Sequence, residues 1–212
     1  MKGSKKALRI IRLLTKMYPT APKTYLNYNN PFEMLIATIL SARAPDAAVN
    51  MVTPELFRRY PTPKKLSMAD LEDIREIIKP CGAHLKKSQY IRDTAKLLVE
   101  NFSGKVPKTL EELITLKGVA RKSANVVLSV VFNITEGVIV DTHIHRVTNR
   151  LGLSEEKTPP KIEKDLMRIL PRKDWSDYAR LIGAHGRQTC KPHRPRCEVC
   201  LLKRICPSVE LL

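Results

Sequence analysis

Apolar residues recur along this chain at helical spacing and almost nowhere at strand spacing. Between Lys5 and Tyr18, Ala7, Ile10, Ile11, Leu14 and Met17 share one face with Lys6, Arg9, Arg12 and Lys16 opposite, which predicts a helix docked by its apolar side. Asn30-Pro31-Phe32-Glu33 offers an N-cap, a proline at the first helical position and a capping-box glutamate, just before the apolar run Met34 to Leu40. Another helix is expected after Pro45-Asp46. Ser67 with Asp70 opens a third, carrying Leu71, Ile74, Ile77 and Ile78, and Lys86 to Asn101 is a fourth. Thr109 to Leu116 reads as a short helix, Lys117-Gly118-Val119 as a turn, and Ala120 to Phe132 as a longer apolar helix. Later helices follow Asp141, Thr158-Pro159 and Asp174. The one β-rich stretch, Val138-Ile139-Val140, is too short to found a sheet, so the expected fold class is all-α.

The 212 residues suffice for one large domain or two small ones. No fixed-period repeat or Gly/Ser linker interrupts them, so any two lobes are joined by short, packed connections. The longest apolar stretches, Met34 to Leu40 and Val126 to Ile134, fall short of the ~20 residues that span a bilayer. Lys5, Lys6, Arg9, Arg12 and Lys16 break up any apolar core of signal-peptide type. The expectation is a cytoplasmic protein, or a nuclear one in a eukaryote, with no membrane partner.

Charge changes the picture most. Thirty-eight Lys and Arg against 21 Asp and Glu leave a formal +17, which suits a polyanionic partner, either nucleic acid or an anionic membrane surface. Aromatic residues are only 5% of the chain, which weakens any module that grips single strands by stacking bases on rings. Duplex DNA is the favoured partner.

Four of the five cysteines, Cys190, Cys197, Cys200 and Cys206, lie within 17 residues of one another. Nothing signals the oxidising compartment that disulfides require, so the cluster reads as a metal centre. Tetrahedral zinc and a cubane [4Fe-4S] cluster both fit four thiolates. Structural zinc sites usually pair two close-spaced knuckles, whereas here only Cys197 and Cys200 form one, and the uneven 6-2-5 spacing favours the iron–sulfur cluster. Lys191, Arg194 and Arg196 make the segment between the ligands basic. It is either a solvated surface or a rigid contact for DNA phosphates.

Leu116-Lys117-Gly118-Val119-Ala120-Arg121-Lys122 has the form of a helix-hairpin-helix, in which Gly118 lets the backbone approach a phosphate. Such a turn also serves plain helix packing. Lys122 stands in the first turn of the second helix, where the positive end of the dipole and Arg121 disfavour its charged form. It is either a solvated lysine or an amine nucleophile able to form a Schiff base with a carbon such as C1′ of a deoxyribose. Asp141 follows Val138-Ile139-Val140 and opens Asp141-Thr142-His143-Ile144. It reads as an N-cap, and equally as a carboxylate that stabilises an oxocarbenium-like sugar or helps a nucleophile lose its proton.

Leu116 to Val127, Val140-Asp141-Thr142-His143, His185-Gly186-Arg187 and the four-cysteine spacing together resemble the endonuclease III family of helix-hairpin-helix DNA glycosylases. The resemblance runs from Asn30-Pro31-Phe32 to Cys206. It implies a six-helix barrel at about 24–135, and a discontinuous domain of 1–23 and 136–212 that carries a [4Fe-4S] cluster. It implies a monomer acting on duplex DNA, with the damaged nucleotide flipped into a cleft between the lobes. Lys122 then matches the family's Schiff-base lysine and Asp141 its catalytic aspartate, in an enzyme that excises oxidised pyrimidines and nicks the strand by β-elimination. The alternatives are a monofunctional mismatch glycosylase of the same fold and a non-catalytic DNA-binding protein with a structural zinc site.

Several residues depart from the family pattern where the resemblance places DNA contacts. The hairpin reads LKGVA where LPGVG is usual, so Lys117 adds a cation and Ala120 removes a glycine beside Gly118, Val119 and Arg121. Arg43 stands where a glutamine commonly fills the gap left by the flipped base. Ala83, next to His84, stands where a larger apolar wedge is common, and His145 replaces an aromatic hydrocarbon side chain.

Overall fold

A computed structural model describes residues 2–209. In chain order the helices are α1 (Lys2–Met17), α2 (Pro31–Leu40), α3 (Asp46–Arg59), α4 (Pro63–Ser67), α5 (Leu71–Ile78), α6 (His84–Phe102), α7 (Leu110–Leu113), α8 (Arg121–Val127), α9 (Thr142–Arg150), α10 (Pro159–Ile169) and α11 (Trp175–Gln188). Among the described residues there is no β-strand, as the helical periodicity implies.

Two compact units divide the chain, one formed by Tyr25–Ile134 and the other by the segment through Thr24 together with Thr135 onward. In the first unit α2 is the central helix, buried from Phe32 to Leu40. It starts where the sequence places it, with Asn30 Oδ1 accepting from the Glu33 amide at 3.0 Å. The buried Glu33 carboxylate accepts in turn from the Asn29 amide (2.7 Å) and from the Asn29 and Asn30 side chains (2.9 and 3.1 Å), which offsets the cost of taking a charge out of water. In the second unit Ala7, Ile10 and Leu14 of α1 share a core with α9, α10 and α11, which includes Val147, Ile162, Tyr178 and Ile182.

Several boundaries differ from the sequence reading; α7, expected to run to Leu116, ends at Leu113. Ser67 opens no helix: it is the last residue of α4, with Oγ donating to the Lys64 carbonyl, and Asp70 alone caps α5 through the Glu72 and Asp73 amides. Thr62 and Pro63 start the extra helix α4 with an ordinary cap and N1 proline. α6 begins at His84, two residues before the Lys86 that was expected, because the chain enters it through Gly82 and Ala83 at φ of +65° and +47°, with no side-chain cap to signal the start. The helix expected from Ala120 to Phe132 is α-helical only to Val127; Leu128–Phe132 widen into a π-helical segment that ends on left-handed Asn133.

Gly118 sits at φ +77°, and a Cβ built there would lie 2.8 Å from the Tyr90 ring and 3.2 Å from Ile39 Cγ2. Gly104 also has positive φ (+73°) but faces open space. Gly104→Ala therefore carries only the backbone penalty of about 1 kcal/mol, whereas Gly118→Ala adds overpacking and is expected to cost at least about 2 kcal/mol, as read by chemical denaturation.

Candidate active site and metal centre

The hairpin in the first unit is α7, the Gly118 turn and α8. Thr109 caps α7, the Val119 amide donates to the Leu116 carbonyl at 3.3 Å, and Thr94 Oγ1 of α6 donates to the Lys117 carbonyl at 2.8 Å. Leu113, Leu116 and Val119 are buried, so the turn presents Lys117, Gly118, Ala120, Arg121 and Lys122 to solvent. Ala120 holds φ −87° and ψ 165°, an extended conformation open to any residue, so the missing glycine brings no strain. No side chain caps α8 at this position.

Two further loops of this unit carry candidate DNA contacts. Arg43 is exposed between α2 and α3 at φ +55°, and Ala83 is exposed just before α6. His84 is half-buried, and Leu85, which the sequence reading passed over, is 59% exposed.

In the second unit Asp141 caps α9: its Oδ1 accepts from the Ile144 amide at 2.8 Å, and its Oδ2 lies 3.5 Å from Arg187 Nη2. The Asp141 side chain keeps 20% of its surface exposed. His143 is half-buried; burial, then the neighbouring Arg187 charge, holds its pKa below the ordinary histidine value. Each residue of His185-Gly186-Arg187 has a separate role. Arg187 faces Asp141. Gly186 lies against α9, where a Cβ would meet that of His143 at 3.0 Å. His185 is buried, with Nδ1 hydrogen-bonded to the Tyr18 hydroxyl at 3.0 Å and Nε2 3.7 Å from Cys200 Sγ. Burial pushes its pKa down to about 4.

Cys190, Cys197, Cys200 and Cys206 border one pocket, which Val147, Leu151 and Leu202 also line. Among the described residues no three His, Cys, Asp or Glu side chains come together as ligands for a single ion. Burial pushes the Cys200 and Cys206 thiols up, and Cys190 and Cys197 push them the same way. Holding all four as thiolates in one space would need a compensating positive centre.

What holds the basic segment is a pair of arginines on α9. Arg150 at the end of α9 donates to Cys190 Sγ (3.3 Å), the Lys191 carbonyl (2.7 Å) and the Pro192 carbonyl (3.1 Å). One turn earlier, Arg146 donates to the Gly186 and Cys190 carbonyls. The only hint available was their i, i+4 spacing on one helix face. Lys191, Arg194 and Arg196 are exposed on the segment so held, with Arg194 at φ +51°.

Residues 36–172 match the HhH-GPD superfamily of base excision DNA repair proteins. Endonuclease III of Synechocystis sp. is 44% identical over 205 residues, covering 97% of this chain and 93% of the relative. Endonuclease III of Escherichia coli is 37% identical, covering 97% and 96%. A solved structure of a non-covalent endonuclease III–DNA complex and one of a trapped endonuclease III–DNA covalent intermediate each superpose with a TM-score of 0.92 at 36% identity, over 98% of this chain and 97% of theirs. The chain belongs to the HhH-GPD superfamily and, within it, to the endonuclease III family.

Because asparagine caps a helix as well as aspartate does, Asp141→Asn is expected to leave the melting temperature almost unchanged. Asp141→Ala removes the cap and is expected to cost about 1 kcal/mol. Calorimetry of the two variants separates the capping role from the charge.

Proposed function

We propose that this protein is a bifunctional DNA glycosylase and abasic-site lyase that removes damaged pyrimidines from duplex DNA in base excision repair. The observation that carries the reading is the near full-length likeness to the trapped endonuclease III–DNA covalent intermediate, joined to an exposed lysine, Lys122, on the hairpin. A covalent intermediate needs a nucleophile, and a lysine amine that attacks a sugar C1′ supplies one.

In this mechanism the exposed hairpin amides and Lys117, Arg121, Lys191, Arg194 and Arg196 hold phosphates, which fixes register without reading sequence. Arg43, Ala83 and His84 contact the site of the flipped nucleotide. The Lys122 ammonium first loses a proton, a transfer Asp141 assists. Its lone pair then bonds to C1′ as the C1′–N bond to the base breaks; the departing base takes the bonding pair and a proton. Asp141 also stabilises the positive charge that builds on the sugar. The ring opens to a Schiff base between Lys122 and C1′. Loss of a C2′ proton then expels the 3′ phosphate, and water releases Lys122.

The four cysteines fit a [4Fe-4S] cluster: the donor set is all thiol, its 6-2-5 spacing holds a single close-spaced pair, and the four border one pocket. Bound there, a cluster would supply a positive core to offset the thiolates and would cross-link the segment that carries Lys191, Arg194 and Arg196. Arg150 and His185 are placed to donate to Cys190 and Cys200 sulfurs.

Two experiments test the reading. Purified protein is expected to contain iron and acid-labile sulfide in equal amounts, with broad visible absorption; zinc without iron would overturn the cluster assignment. Duplexes with single defined lesions, incubated with and without borohydride, report base choice and covalent chemistry together. Lys122→Gln is expected to abolish trapping and nicking while keeping duplex binding. Asp141→Asn is expected to lower base excision by about 10²-fold or more. Undiminished trapping by Lys122→Gln would place the nucleophile elsewhere.

A further inference from the structure

Among the described residues, the most deeply buried lysine is one the mechanism above does not use. Lys87, in the first turn of α6, is 5% exposed. Its Nζ donates to the Leu40 and Cys81 carbonyls, each at 2.8 Å. Burial lowers its pKa, the usual response of an ammonium taken out of water. A core position of this size would accept an apolar side chain, so the charge has to be explained by what it binds.

Both acceptors lie where a helical segment stops. Leu40 is the last residue of α2, and Cys81 is the last of the 3-10 turn Lys79–Cys81. Terminal carbonyls of this kind lack a partner within their own helix. Three residues beyond Leu40, and directly after Cys81, the backbone takes positive φ: Arg43 at +55° in one loop, Gly82 and Ala83 at +65° and +47° in the other. Arg and Ala hold that conformation only when their surroundings enforce it. Lys87 bridges residues 40 and 81, far apart in sequence, through a single nitrogen atom.

We infer that Lys87 is a positioning residue whose buried ammonium locks the Arg43 loop and the Ala83 loop together, so that both engage the damaged nucleotide's position as one rigid element. The inference rests on the proposed reading of these loops as lesion contacts. Lys87 takes no part in covalent chemistry, since its amine is buried and committed to two carbonyls.

Lys87→Met keeps most of the stem and removes the donors. Binding of the purified full chain is measured against an undamaged duplex and against one carrying a stable abasic-site analogue, at a temperature where circular dichroism shows the variant folded. The preference for the analogue is expected to fall by about tenfold or more, the scale of a small misplacement of positioning groups. Undamaged binding, set by phosphate contacts, is expected to hold. The distinguishing measurement is a double-mutant cycle. Arg43→Ala is expected to lower the preference in the native background and to change it little in Lys87→Met, whereas a merely destabilising lysine substitution would leave the Arg43 effect whole. Lys87→Gln, which retains an amide donor but is too short to reach both carbonyls, is expected to show the same loss should Lys87→Met fail to fold. A folded Lys87 variant with full preference, or an undiminished Arg43 effect in it, overturns the inference and leaves the enzyme reading intact. If Arg43→Ala has no effect in the native background, the reading of that loop as a lesion contact fails first, and the inference falls with it.

Discussion

The left-handed turn at Gly118 has room for a hydrogen and nothing larger, because Tyr90 of α6 and Ile39 of α2 close on it. That contact presses the hairpin onto α6, and the Thr94 hydroxyl, one turn further along α6, holds the Lys117 carbonyl. Lys87, Tyr90 and Thr94 are spaced three and four residues apart, which places them along one face of the helix. A single helix face therefore fixes the hairpin with Lys122 at its C-terminal side, and through Lys87 also fixes the ends of α2 and of the 3-10 turn before α6. A hairpin held only by its own short helix α7 would have no such reference.

α9 does comparable work in the other unit. Its first turn is capped by Asp141, and its last two turns send Arg146 and Arg150 to the backbone of the cysteine segment. α11 lies against it closely enough that Gly186 has no space for a side chain without displacement, and from the next position Arg187 reaches the Asp141 carboxylate. The proposed catalytic carboxylate and the proposed cluster ligands are thus set by the two ends of one helix. Substitutions that disturb the cysteine segment have a direct route to the geometry of Asp141 through this helix.

Elements whose signals are local were legible in the sequence. Asn30-Pro31-Phe32-Glu33 announces a helix by capping chemistry, and the cap forms. Ser67 misled because its neighbourhood holds two helices only three residues apart, and Asp70 rather than Ser67 carries the second cap. The start of α6 was missed because Ala83 has no capping side chain, and the π-helical segment because Leu128–Phe132 has the same apolar pattern as an α-helix. The same division runs through the candidate site. Lys122, Asp141 and the cysteines were singled out by neighbouring residues, and their proposed roles by the family resemblance. The pairings of Arg187 with Asp141, Arg150 with Cys190 and Lys87 with Leu40 join positions some 40 residues or more apart, and no local pattern encodes them.

The central claim is that the Lys122 amine becomes covalently bonded to the damaged sugar. Its most direct test is to reduce the reaction of the native protein on a lesion-bearing duplex with borohydride, digest the adduct and locate the modified residue by mass spectrometry. The account predicts the sugar-derived mass on Nζ of Lys122. The same mass on Lys117, Lys87 or the N-terminal amine, with Lys122 unmodified, would contradict it.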